Sequence, residues 1–203
     1  MSAKISVIIP VHNTAKYLDR CMESVLGQTF GDIEVILAEN LSTDGSADMC
    51  DDYARRDSRV RVLHLDRAGL SHARNEALLV AESDAVCFID SDDYVDKEML
   101  EQLYSQMVLY GADIVGYNLA QEKDGITQIA PGDDDGSVIS LDKVQLVTAF
   151  LLNVDNWSYT SACTKLFRKS LFDNLKFPEG RFHEDHAVMH LIAEKCTKAV
   201  WLQ

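Results

Sequence analysis

The chain has 203 residues, of which 47% are hydrophobic and 26% charged, with three prolines and ten glycines. That balance excludes a disordered, collagenous or low-complexity chain and allows a sizeable buried core. The 33 acidic residues outnumber the 19 basic ones and leave a net charge of -14, which repels a phosphate backbone and excludes nucleic acid as a general partner.

Ile5–Pro10 is a β-branched run and reads as a buried strand. Thr14 is the expected cap of a helix whose apolar positions are Leu18, Cys21, Met22, Val25 and Leu26. Ile33–Ala38 reads as a second buried strand. The turn-like Leu41–Ser46 then precedes a helix with Met49, Cys50, Tyr53 and Ala54 on one face. Val60–Leu65 is a third strand, and Leu70, Ala73, Ala77, Leu78 and Ala81 mark a third helix. Ala85–Ile89 is a fourth strand that runs straight into Asp90-Ser91-Asp92-Asp93, and a fourth helix carries Met99, Leu100, Leu103 and Met107. After Gly111 the spacing predicts a strand over Ala112–Leu119, an exposed acidic loop over Gln121–Ser137 and a helix over Leu141–Leu152. Trp157–Arg168 has no clear period, and Phe182–Cys196 ends as a helix with Val188, Leu191 and Ile192 inward.

Strands alternating with helices of this length imply βαβ units, hence an α/β fold with a mainly parallel sheet. Ligands of open α/β sheets bind at the carboxyl ends of the strands. The polar residues after each strand are therefore brought to one cleft: Pro10–Asn13, Glu39-Asn40, Asp66-Arg67 and Asp90–Asp93. Residues 1–115 are expected to form the ligand-binding half, and 116–203 a second half of the same compact unit. No internal repeat is found. No apolar run approaches a bilayer span, and the N-terminus lacks the apolar stretch of a signal peptide. Cys21, Cys50, Cys87, Cys163 and Cys196 are odd in number and show no C-x-x-C spacing. They are expected to be small buried hydrophobes in a reducing cytoplasm.

Asp90-Ser91-Asp92-Asp93 is the most informative stretch. Three carboxylates in four residues repel one another, and a hard divalent cation, Mg2+ or Mn2+, relieves that repulsion. In an extended segment residues i and i+2 point the same way, so Asp90 and Asp92 can share a target, and the cation can in turn hold a diphosphate. The alternative is an acidic turn with Asp92 or Asp93 at the N-terminus of the next helix.

In this arrangement the sequence resembles the family-2 glycosyltransferases of the GT-A fold. Ile5–Asn13, written ISVIIPVHN, looks like the family's first strand and its P-x-[YH]-N end. Ser24–Thr29 looks like the S-[VIL]-x-x-Q-[TS] end of its first helix, and Ser42-Thr43-Asp44-Gly45-Ser46 is similar to the end of its D-D-G-S-T-D-G-S signature. Gly69–Asn75 is similar to the G-x-[SG]-x-A-R-N motif, and Asp90-Ser91-Asp92 occupies the DxD position. Phe177-Pro178-Glu179-Gly180 and Glu184-Asp185 look like the later F-x-x-G and E-D segments.

The resemblance implies a nucleotide-sugar donor, most readily a UDP-sugar, from which a hexosyl or hexosaminyl group passes with inversion to a hydroxyl of a glycan or lipid-linked acceptor. By position, Pro10, Val11 and Asn13 would line the nucleoside pocket with Glu39 and Asn40. Asp90 and Ser91 would approach the ribose. Asp92, with Asp90 and Asp93, would hold Mn2+ or Mg2+. Arg74 would stabilise the donor site or its diphosphate. Asp185 would be the general base, with Glu184 as its alternate. Where the family has D-D-G, this chain has Glu39-Asn40-Leu41, which leaves uridine, thymidine and guanosine open. Asn40 also reads as a turn residue tolerating positive φ. Trp157 and Tyr159 read as packing residues, with stacking on an acceptor sugar as the alternative. The spacing of His183, His186 and His190 is not that of a zinc site. A nucleotidyltransferase and a non-catalytic nucleotide-sugar-binding domain are the competing readings. The resemblance also implies further chain beyond Gln203, through which peripheral contact with a membrane is expected.

Overall fold

A computed structural model describes residues 3–117, 120–123, 126–129, 136–152 and 157–202. The first strand, β1 (Ile5–Val11), is buried along its whole length because the sheet is covered on both faces. It pairs in parallel with β2 (Ile33–Glu39) on one side and β4 (Ala85–Phe88) on the other, and β3 (Val60–His64) lies beyond β2. The helices between them are α1 (Ala15–Leu26), α2 (Ser46–Arg56) and α3 (Leu70–Val80). Each returns the chain so that all four strands end at one rim of the sheet.

The second half adds strands in a different pattern. After α4 (Met99–Tyr110) comes β5 (Ile114–Tyr117), but β9 (Lys165–Arg168) inserts between β4 and β5, antiparallel to both. β10 (Lys198–Leu202) pairs in parallel with β5, and β8 (Val138–Asp142) closes the edge antiparallel to β10. The order is β3-β2-β1-β4-β9-β5-β10-β8, so the expected mainly parallel α/β sheet is present, with antiparallel strands confined to one side. Residue 115, where the sequence suggests a change of role, lies inside β5 of this continuous sheet.

Two expectations are corrected. Within the segment expected as an acidic loop, β6 (Ala120–Lys123) and β7 (Ile126–Ile129) form an antiparallel pair. The β-branched Ile126, Thr127 and Ile129 favour a strand, which the acidic and glycine-rich composition around them masks. Positions 124–125 and 130–135 lie outside the described residues. The helix expected from Leu141 instead begins at Lys143, as α5 (Lys143–Leu152), because Val138–Asp142 pairs with β10. Asp142 and Gln145 mark that boundary. The Asp142 carboxylate accepts the Gln145 N–H and the Gln145 side chain accepts the Asp142 N–H, both at 2.9 Å, a reciprocal cap.

α6 (Trp157–Thr160) and α7 (Glu184–Lys195) complete the chain. One face of the sheet packs α1 and α4 against Val7, Ile9 and Val35. The other packs α3, α5 and α7 against Ile8, Ile36, Phe88 and Trp201. Val188 and Ile192 face inward as expected, joined by Met189 and Ala193, whereas Leu191 is half-buried. All five cysteines are buried and free. No helix among the described residues is long and apolar enough to cross a membrane.

Candidate active site

The first two loops at the strand rim are knitted together by side chains. Pro10 and Val11 end β1 and are buried. The Asn40 N–H reaches Val11 O at 2.9 Å, and His12 Nδ1 donates to Asn40 O at 2.6 Å. Asn13 adopts φ +54°, so that its Oδ1 accepts the Thr43 N–H at 2.7 Å while its own N–H reaches Ser42 Oγ. Thr14 does not cap α1 with its side chain. Asp44 accepts the Ala15 N–H and Ser46 Oγ accepts the Thr14 N–H, which satisfies those donors and frees the Thr14 hydroxyl to donate to Ser91 at 2.9 Å. The β1, β2 and β4 loops are thereby joined.

Glu39 and Asn40 are both buried, and both are engaged within the protein. Glu39 accepts the Ser42 N–H at 2.6 Å and lies 3.4 Å from His64 Nδ1, whose other nitrogen faces Asp51 at 2.9 Å. Burial pushes the Glu39 carboxyl upward, but the hydrogen bonds from Ser42 and His64 outweigh it and leave the group below its ordinary value. The Asn40 side chain accepts the Gly69 N–H at 3.1 Å, linking the β2 end to the start of α3. The positive φ expected at Asn40 occurs instead at Leu41, at +57°, the position where the related motif carries glycine.

The acidic stretch after β4 is a turn, closed by the Asp93 N–H on Asp90 O at 3.0 Å. The extended geometry that would aim Asp90 and Asp92 the same way is therefore absent, and so is the helix start, since α4 begins only at Met99. Ser91 is buried, whereas Asp92 and Asp93 are exposed at the rim. Partial desolvation, followed by the fields of Asp90 and Asp92, pushes the Asp93 carboxyl up to about 6. This repulsion and the oxygen-only donor set fit a hard divalent cation. Among the described residues no three acidic, thiol or imidazole groups close into a cage, so such an ion would draw its remaining oxygens from ligand and water.

Arg74 organises the other side of the cleft. It is buried, yet surrounded by charge. Nη1 reaches Glu184 at 2.8 Å and Asp185 at 2.6 Å, and Nη2 reaches Asp90 at 3.2 Å. Its guanidinium also lies 5.3 Å from the Phe177 ring centroid. Arg74 thus draws the E-D pair and the first residue of the acidic turn onto one cation. The rest of its motif works in the same direction. Ser71 donates to Pro178 O at 2.8 Å, and Asn75 exchanges two 2.9 Å hydrogen bonds with the backbone of Phe177. Arg67 pairs with Glu179 at 2.9 Å, while Asp66 is exposed. In this way α3 clamps the segment that leads into α7.

Asp185 stands in the first turn of α7. Its Oδ2 accepts the Ala162 N–H at 2.9 Å, so both oxygens are held. Behind this loop lies a group that sequence reasoning missed. Lys165 is fully buried, donates to Ser158 O and Ser161 O, and sits 5.2 Å from the Trp201 ring. Burial pulls its ammonium down to about 7, against the raising fields of Asp185 and Cys163. Tyr159 stacks on Trp201 at 4.6 Å and is a packing residue; the side chain of Trp157 lies outside the described set. His183 and His186 place their rings 5.4 Å apart on the exposed end of α7.

The profile described as "Glycosyl transferase family 2" matches residues 6–176. Glycosyltransferase GlyG of Streptococcus pneumoniae serotype 4 is 35% identical over 210 residues, covering 100% of this chain and 69% of GlyG. Among solved structures, S. aureus TarS 1-349 in complex with UDP-GlcNAc superposes with a TM-score of 0.81 at 24% identity, over 98% of this chain and 56% of that one. Mannosyltransferase PcManGT from Pyrobaculum calidifontis, in complex with GDP-Man and Mn2+, gives 0.70 at 17% identity, over 98% of this chain and 54% of that one. These two likenesses concern the fold, and the chain spans little more than half of either structure. The matched profile, the GlyG relationship and the α/β architecture together establish that the chain belongs to the family 2 glycosyltransferases.

Proposed function

We propose that this chain carries the donor-binding and catalytic region of an inverting, metal-assisted enzyme. It moves a hexosyl or hexosaminyl group from a UDP-sugar to a hydroxyl of a glycan or lipid-linked acceptor. The observation that carries this reading is the Arg74 junction, which ties Asp90 at the donor end to Glu184 and Asp185 at the acceptor end. The UDP-GlcNAc bound in the TarS complex and the Mn2+ in PcManGT support the choice of donor and ion. Free, buried cysteines suit a reducing cytoplasm.

In this reading Pro10, Val11, Asn13, Glu39 and Asn40 shape the nucleoside pocket, and Asp90 and Ser91 approach the ribose. Asp92 would be the main ligand of Mn2+ or Mg2+, with Asp90 and Asp93 adding their charge beside it and the donor and water supplying the remaining oxygens. When bound, that ion supplies countercharge to the leaving diphosphate. Asp185 takes the proton of the acceptor hydroxyl as its oxygen bonds to the anomeric carbon and the bond to the diphosphate breaks. A positioned base of this kind is worth about 10²–10⁴ in rate. Glu184 is the alternate base. Arg74 offsets the carboxylate charge that an anionic donor would otherwise meet, and it acts as a positioning residue rather than as a diphosphate ligand.

A thermal-shift panel of nucleoside diphosphates and nucleotide sugars, with and without manganese, tests the reading. Manganese is expected to strengthen UDP binding, and Asp92→Ala to abolish that dependence. Asp185→Asn is expected to keep donor binding and lose transfer. UDP binding indifferent to manganese in the wild type would remove the metal role, and full turnover by Asp185→Asn would remove the base. Donor binding without turnover in the wild type would favour a nucleotide-sugar-binding domain instead.

A further inference from the structure

We propose that Lys165 is a positioning residue for Asp185, acting through the single peptide group that joins Ser161 to Ala162. The inference rests on the reading of Asp185 as the base. On one side of that peptide, Lys165 Nζ donates to Ser161 O at 2.5 Å; on the other, the Ala162 N–H donates to Asp185 Oδ2 at 2.9 Å. In a trans peptide the carbonyl and the N–H point in opposite directions, so one rigid plane stands between an ammonium and a carboxylate. The cation polarises the peptide in the sense that strengthens its N–H as a donor.

The plane is held from other directions as well. Ser161 Oγ accepts the Cys163 N–H at 3.1 Å and caps the short turn Ala162–Thr164, while Lys165 also donates to Ser158 O at 2.7 Å. Arg74 holds the other oxygen of Asp185, at 2.6 Å. Two donors on opposite oxygens set the plane of the carboxylate, which decides where its remaining lone pairs point. Packing alone does not call for a lysine here. An unbranched apolar side chain of similar length would fill the space beside Trp201 without the cost of burying an ammonium.

The test uses the whole chain and three variants: Lys165→Met, Ala162→Pro and the double variant. Ala162 opens a 3-10 turn after an extended Ser161 (ψ 143°), a position that tolerates proline, so Ala162→Pro removes the N–H with little change of backbone. Two readouts are taken: UDP release from UDP-GlcNAc with Mn2+, in which water takes the sugar in place of the acceptor hydroxyl, and hydrogen exchange at the Ala162 amide, which needs no donor. Each single variant should lower kcat by about 10²-fold with the donor KM unchanged, as for a misplaced catalytic group. The double variant should be no worse than the more severe single one. In Lys165→Met the Ala162 amide should lose protection while the β1 amides keep theirs. Losses that multiply in the double variant, or an unchanged Ala162 amide, would overturn the relay. If Lys165→Met fails to fold, Lys165→Gln takes its place: normal kcat with an unchanged Ala162 amide overturns the proposal, and a lowered kcat at constant KM with lost protection at the Ala162 amide supports it. Full activity of Asp185→Asn would indict the base assignment. Loss in Asp185→Asn beside a normal Lys165→Met would indict this inference alone.

Discussion

Arg74 and Asp185 lie 111 positions apart in the chain and share a hydrogen bond of 2.6 Å inside the protein. The arginine side chain is only 2% exposed, and Glu184 and Asp185 are 14% exposed, so water does little to screen the junction. Removing one partner of a buried pair leaves the other charge unpaired, at a cost of about 3–5 kcal/mol. Arg74→Met should therefore lose stability of that order in urea denaturation, with an unchanged m-value. Arg74→Lys should also lose stability, because an ammonium lacks the planar fork that serves three carboxylates at once. A Lys variant as stable as the wild type would show that charge alone suffices.

Leu41 gives a prediction of opposite sign. It holds φ +57° and is 48% exposed, so it bears left-handed strain with little burial to offset it. The left-handed region costs a side-chain-bearing residue roughly 1–2 kcal/mol, and glycine gives back part of that as unfolded-state entropy. Leu41→Gly should stabilise the fold by about 0.5–1 kcal/mol, read as a raised denaturation midpoint. A lowered midpoint would mean that the leucine side chain is doing packing work its exposure does not suggest.

The same region marks how far the sequence could be read. The β1–β4 half was legible because its strands are apolar runs buried on both faces and its helices carry clear stripes. The order beyond β4 was not, because β9 inserts between β4 and β5 by pairing Cys87 with Leu166, a contact that no local pattern encodes. At the site, the carboxylates were visible as a cluster and as an E-D pair. Their meeting on Arg74 depends on α3 gripping Phe177 through Asn75, over 102 positions. Lys165 was invisible for another reason. A lone lysine in an aperiodic stretch reads as surface, and only its burial beside Trp201 reveals the opposite.

Gly116 should prove indispensable to that packing. A Cβ built there would lie 2.6 Å from two atoms of the fully buried Trp201 ring, which is itself stacked on Tyr159. A rigid indole held on both sides cannot retreat like the end of a flexible chain. Overpacking of this kind typically costs about 1–3 kcal/mol. Gly116→Ala should fall in that range, and Trp201 fluorescence should report a displaced ring in the folded variant. Unchanged stability together with an unchanged spectrum would show that the β5–β10 pair can spread to accept the methyl group.

The raised Asp93 carboxyl ties stability to pH and to the proposed cation. Its folded value of about 6 lies above the ordinary 3.8, with desolvation first and the fields of Asp90 and Asp92 next as causes. Between those two values the folded state binds more protons than the unfolded one, so this group's contribution to stability falls as pH rises from 3.8 to about 6, and is level above that. Asp93 is exposed, and solvent screening reduces the effect from the full linkage value to about 1 kcal/mol. Asp93→Asn should accordingly be more stable than the wild type at pH 7, with the difference vanishing near pH 4. Manganese should reverse the order at pH 7, since it stabilises the wild-type carboxylate and offers the amide less. Thermal melts of both proteins across that range, with and without the ion, check the sign. Parallel wild-type and variant profiles would show that the three aspartates of the turn do not feel one another, and would take away the electrostatic reason for a cation there.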